Sequence, residues 1–223
     1  MGRKVNPKSF RMGNLFIWGS RWFADKNNYR NYVLEDKKIR DFLMGKLKPA
    51  GVGRVEIERS INKITVIVFV AKPGLVIGRG GTGLEDIKKQ LTKLISSVKV
   101  KVELRIEGIA EPYLDAYLVA RNISDMLGKR MMAKRIIGQM LEKIMAAGAR
   151  GARVKLAGRI NGAEIARVEK GSLGVLPLST MRENIDFAEF SAHTRSGYIG
   201  VKVWICKKRK EENASAAAQE TKI

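Results

Sequence analysis

The 223-residue chain has one cysteine, Cys206, one histidine, His193, five prolines and no apolar run near the ~18 residues of a membrane span. A lone cysteine rules out an internal disulfide framework and fits a reducing compartment. One cysteine and one histidine leave a closed zinc site of those residues short of ligands. Any Ser-His or Cys-His nucleophile would run through His193, which reads as an ordinary polar or stacking residue. Cys206, in the apolar run Val203-Trp204-Ile205-Cys206, reads as a small core hydrophobe. No catalytic residue, metal, cofactor or membrane partner is therefore expected.

Acid is the other scarcity. Lys and Arg number 43 against 22 Asp and Glu, giving a formal charge of +21 and a pI near 10.3. A hydrophobic fraction of 45% places the chain among globular proteins, so an anionic partner is the first hypothesis for this charge. The surplus is +8 over residues 1–48, +5 over 49–109, +6 over 110–206 and +2 over 207–223. Residues 1–24 contain no acid and carry Arg3, Lys4, Lys8, Arg11 and Arg21. Asn6, Pro7, Gly13, Asn14 and Gly19 interrupt the amphipathic helix that a transit peptide requires, so residues 1–28 read as a mature basic arm, with Trp18 and Trp22 packing where it meets the body or stacking on a partner.

Periodicity divides the remainder. Helical spacing runs from Tyr29 to Leu47 through Val33, Ile39, Phe42 and Leu43, and a half-buried strand follows at Val55–Glu58. Ile64–Ala71 is a β-branched strand, stopped by Lys72-Pro73-Gly74. A short apolar stretch, Leu75–Ile77, leads to Gly78-Arg79-Gly80-Gly81, with Thr82 as the expected cap of a helix through Ile95. Alternation then runs along Val98, Val100, Val102, Leu104 and Ile106.

The glycine loop has three readings. Residues 78–83 satisfy the dinucleotide pattern G-x-G-x-x-G with Glu103 about 20 residues on, but six residues separate the strand from the first glycine and no second βαβ half follows. The phosphate-loop pattern fails because no Lys-Ser or Lys-Thr follows. A plain helix-helix turn would also want glycine. The order helix, strand, strand, short helix, glycine loop, helix, strand suits a type II KH domain over residues 29–109, whose G-x-x-G loop clamps a single-stranded nucleic-acid backbone through Gly78, Arg79, Gly80 and Gly81.

From residue 110 to 207 the pattern changes. Helices are expected from Glu111-Pro112 to Gly128 and from Arg130 to Ala147. In the second, Ala133, Ile136, Ile137, Met140, Leu141 and Ile144 make one apolar stripe, with Met131, Met132, Met140 and Met145 as core filler. Strands are expected at Arg153–Ile160, Ile185–His193 and Tyr198–Lys207. The fold class is thus α+β: an αββααβ KH domain, then two helices packed on an antiparallel sheet. Residues 208–223 read as a flexible, low-complexity tail. Between Gly128 and Lys170, eleven basic residues face three acids, whereas Gly171–Cys206 is balanced, so the basic stretch reads as a phosphate-facing patch.

Several motifs in this order resemble the family of the third protein of the bacterial small ribosomal subunit. They are Met1-Gly2-Arg3-Lys4-Val5-Asn6-Pro7, Trp18-x-Ser20-x-Trp22-Phe23, the glycine loop, Gly158-Arg159-Ile160-Asn161-Gly162-Ala163-Glu164-Ile165-Ala166-Arg167, Val175-x-Pro177-Leu178-x-Thr180-x-Arg182 and Gly197-x-Ile199-Gly200-Val201-Lys202-Val203-Trp204-Ile205. The resemblance implies a cytoplasmic binding protein rather than an enzyme, held in the head of the small subunit by ribosomal RNA beside neighbours numbered ten and fourteen. Arg3, Lys4, Lys8, Arg11, Arg150, Arg153, Arg159 and Arg167 would contact ribosomal RNA. It also implies a messenger entry site at Lys134 and Arg135, with Gly138 where the family has a third basic residue and Arg130 placed to compensate. A free-standing KH regulator or RNA chaperone shares the loop but not the later motifs, and a lysine-dependent nuclease finds no supporting cluster.

Overall fold

The computed structural model describes residues 4–95 and 101–208, with the side chain of Arg79 outside the description. Arg3, Val98, Val100 and the tail from residue 209 lie outside the described residues. The chain forms two compact units: Trp18–Ala110, and the described residues up to Ile17 together with those from Glu111 onward. The segment expected as one basic arm is therefore divided between the two.

In the first unit, α2 (Lys26–Lys46) follows a two-residue strand β1 (Ser20–Arg21) and precedes β2 (Val52–Ser60) and β3 (Lys63–Val70). Next come α3 (Pro73–Ile77), α4 (Thr82–Leu94) and β4 (Lys101–Gly108). The sheet order is β1-β2-β3-β4, antiparallel between β2 and β3 and parallel at both edges. Elements α2 to β4 give the αββααβ order, with β1 added to the sheet edge. Val66, Val68 and Val70 from β3, Ile57 from β2, Ile39 and Leu43 from α2 and Leu91 from α4 are sealed in one core. Thr82 begins the helix rather than capping it: Gly81, at φ +80°, is the cap residue.

Helix α2 departs from its expected face. Val33 is 42% exposed, while Glu35 and Asp36 are buried. Arg59 of β2 meets them, donating from Nε to Asp36 Oδ1 at 2.8 Å and from Nη1 to Glu35 Oε2 at 2.8 Å. Ser20 Oγ (2.7 Å) and Trp22 Nε1 (2.8 Å) donate to Asp36 Oδ2. Trp22 packs as expected, between Tyr29 and Tyr32. Trp18 does not: it is 67% exposed.

In the second unit, α1 (Pro7–Phe10) precedes a Pro112–Leu114 turn, α5 (Ala116–Gly128), α6 (Ala133–Ala146) and strands β5 (Ala149–Gly158), β6 (Arg167–Gly174), β7 (Ile185–Thr194) and β8 (Gly197–Lys207). Helix α5 starts later than Glu111-Pro112 suggested, because Asp115 caps it by accepting from the N–H groups of Tyr117 and Leu118. The sheet order is β6-β5-β8-β7, antiparallel throughout. The helices cover one face, where Ile123, Ile136, Met140 and Ile144 pack on Val154, Leu156, Val203 and Ile205. Cys206 is fully buried as expected, and exposed His193 lies with its ring 5.1 Å from that of Tyr198. Met132, at 65% exposure, is not core filler.

Candidate nucleic-acid interface

The glycine loop sits between α3 and α4. Gly78, Gly80 and Gly81 all have positive φ (+69°, +63° and +80°), which side-chain-bearing residues rarely adopt. A Cβ on Gly80 or Gly81 would meet nothing within 4 Å, so main chain is open to a ligand at both positions. At Gly83, which lies outside the G-x-x-G stretch, a Cβ would come within 2.7 Å of Val76 O; this glycine lets α4 close against α3. The clue in the sequence was the sixth position of the weak dinucleotide pattern, whose physical reason here is helix packing. Leu75 and Ile77 on α3 are exposed beside the loop. Exposed backbone at a helix start with apolar side chains alongside can take a sugar-phosphate chain and the faces of its bases.

The second cluster lies at the start of α6. Its cap residue, Met132, offers no side-chain acceptor, and no acid occupies the first turn. The first helical hydrogen bond runs from Ile136 N to Met132 O at 3.0 Å, leaving the N–H groups before it without helical acceptors. Lys134 and Arg135 stand exposed on that turn. Arg130, also exposed, takes a φ of +62° in the turn joining α5 to α6. Three cations thus surround the positive end of a helix dipole, an arrangement that attracts phosphate. A Cβ at Gly138, one turn along from Lys134, would meet nothing within 4 Å, so the side of the helix where a third cation would stand is empty.

The remaining cations are scattered. Lys4 and Arg167 are exposed. Lys8 lies 3.6 Å from Asp186 Oδ1, and Arg150 bridges Glu183 at 3.1 Å. Exposed Arg159 donates from Nε to Ala163 O at 2.9 Å, bracing the β5–β6 loop. Arg153 lies half-buried on the sheet.

Arg11 overturns its expectation. It is 0% exposed. Its Nε donates to Glu183 O (2.8 Å), Nη1 to Pro7 O (2.9 Å) and Nη2 to Leu178 O (2.9 Å) and Thr180 O (2.7 Å). This guanidinium clamps main chain and has no face for a phosphate.

Strand β6 also went unseen in the sequence. It pairs with β5 from Gly158↔Arg167 to Gly151↔Gly174, adding a fourth strand where three were expected. Among the described residues there is no His/Cys/Asp/Glu group able to hold a metal, and no helix is long and apolar enough to cross a membrane.

Comparison with known proteins gives two family matches. A KH-domain model matches residues 38–113, and a model of the C-terminal domain of ribosomal protein S3 matches residues 123–205. Among similar proteins, that of Desulforamulus reducens is 45% identical, over 93% of this chain and 92% of its own length. That of Desulfitobacterium hafniense is 46% identical over 93% of each chain. That of Caldicellulosiruptor saccharolyticus is 43% identical over 98% of each. All three are named small ribosomal subunit protein uS3.

Proposed function

The chain belongs to the small ribosomal subunit protein uS3 family, whose members are structural constituents rather than enzymes, and on that premise we propose that it binds ribosomal RNA in the head of the small subunit and forms part of the messenger entry channel. The observation that carries the messenger part is the uncapped start of α6, where Lys134, Arg135 and Arg130 stand exposed around unsatisfied N–H groups. An entering message presents phosphates in every sequence, and a helix start with loose cations reads charge rather than base identity. The open side chain position at Gly138 leaves the contact resting on two helix cations and Arg130.

Ribosomal RNA would be held by cations that remain available: Lys4, Arg159 and Arg167, with Arg153 on the sheet. The G-x-x-G loop, with its open backbone at Gly80 and Gly81, supplies a further contact. The neighbours are the head proteins numbered ten and fourteen, in cytoplasmic ribosomes.

Crosslinking in assembled small subunits tests this reading. With a message carrying 4-thiouridine at entering positions, the expected product joins message to the peptide containing residues 130–135. Crosslinks from that peptide to ribosomal RNA alone would remove the messenger role. A chain that fails to comigrate with small subunits at moderate salt would favour a free-standing KH regulator instead.

A further inference from the structure

The C-terminal sheet has a second face, opposite α5 and α6, and its composition is unlike a solvated surface. Strand register places Lys170 of β6 directly across from Lys155 of β5, and Lys155 across from Lys202 of β8. Like charges directly opposite on neighbouring strands repel, at a separation of about 4.8 Å between strands. The row ends at Glu189 of β7, which bridges Lys202 at 3.3 Å. Among the described residues Lys155 and Lys170 have no ion-pair partner, and Glu189 is the one acid on this face.

The adjacent row changes character. Arg153 of β5 lies in register with Trp204 of β8, and Trp204 with Phe187 of β7. The two rings lie 5.2 Å apart, tilted by 40°. Trp204, Phe187 and Arg153 are half-buried, while Lys170 and Ser172 on the β6 edge are exposed. At the far end of the face Ile185 and Cys206 are sealed, so the open region is confined to these rows and those beyond them.

A lysine row without counter-charges, beside an arginine and an aromatic pair on an open sheet, matches the two halves of single-stranded RNA: phosphates along one line, base faces along the next. A duplex would satisfy the lysines but could not offer a base face to Trp204. We propose that this helix-free sheet face is an RNA-contacting surface distinct from the start of α6, holding single-stranded RNA with phosphates on Lys170, Lys155 and Arg153 and an unpaired base against Trp204. The proposal rests on the RNA-binding reading above and adds to it a surface and a preference for unpaired RNA.

The test uses the full chain carrying Lys134→Gln and Arg135→Gln, so that the α6 cluster is reduced to Arg130, with fluorescein-labelled 12-nucleotide oligouridine and a 12-base-pair RNA duplex as probes. Adding Lys155→Gln and Lys170→Gln should weaken oligouridine binding about tenfold, roughly threefold per phosphate contact, and reduce the salt slope by about 1.4. Trp204→Leu should weaken oligouridine binding about tenfold while leaving the duplex within twofold. If Trp204→Leu does not fold, the lysine pair decides alone. Folded lysine variants with unchanged oligouridine affinity would overturn the proposal. So would equal losses on duplex and single strand, or displacement of oligouridine by oligoglutamate of equal charge as effectively as by RNA. If the sheet variants have no effect while the α6 variants lower affinity in the parent chain, the sheet proposal falls and the reading of α6 stands. If the message crosslink at residues 130–135 is absent while the sheet variants lose affinity, the reverse holds.

Discussion

Arg11 lies in the amino-terminal segment with its guanidinium enclosed and four hydrogen bonds to main-chain carbonyls, whereas Lys134 and Arg135 stand in solvent at the start of α6. All three belong to stretches rich in cations and poor in acids. What separates them is geometry: the 178–183 segment presents a set of carbonyls that fits a guanidinium fork, while the first turn of α6 presents only donors. A basic residue that meets acceptors from its own chain becomes structural. One that meets donors repels them and waits for an anion from outside.

The largest test of this contrast removes the clamp. Arg11→Gln deprives four carbonyl contacts of their charged donor and should cost about 3 kcal/mol, read by denaturant unfolding. It should also speed proteolytic cleavage before Ile17. Unchanged stability would mean that the segment is held by something other than this guanidinium, and Arg11 would return to the set of RNA-facing cations.

The same logic marks what could be read from the sequence. Helices α5 and α6, the β-branched strand β3 and the glycine loop were legible, because periodicity and glycine placement are local signals. Strand β6 was not, since Arg167–Gly174 lacks regular apolar alternation, contains glycines at 171 and 174, and sits at an edge with mostly exposed side chains. It forms because β5 offers it a full ladder of partners. The burial of Glu35 and Asp36 had no local signal either, because it depends on Arg59, which β2 brings against them. In the site, Lys134 and Arg135 were legible as charge, but the missing cap that makes their helix start receptive appears only once Met132 is seen at the cap. The fate of Arg11 depended on carbonyls more than 160 residues away.

A smaller effect probes the carboxylates of the second unit. Burial, reinforced by Asp186, raises the pKa of Asp115 above its ordinary value, against the pull of the Leu118 and Tyr117 N–H groups and of Lys207. The folded state therefore holds this proton more tightly than the unfolded chain. Its contribution to stability is full below the unfolded pKa, about 3.9, and is lost as pH rises through the higher folded value. Asp115→Asn keeps a capping oxygen for α5 and carries no charge. Its stability relative to the parent should grow from pH 3 toward neutrality; a difference independent of pH would contradict the burial of that charge.

The most direct measurement concerns the exposed cations themselves. Ribosomes reconstituted with the full chain carrying Lys134→Gln and Arg135→Gln should match the parent in assembly and in the chain's stability, within about 0.5 kcal/mol for exposed sites without partners. They should translate unstructured messages at the parent rate and messages containing stable hairpins several-fold more slowly. Equal rates on structured messages, or a loss of stability comparable to that of Arg11→Gln, would contradict the account.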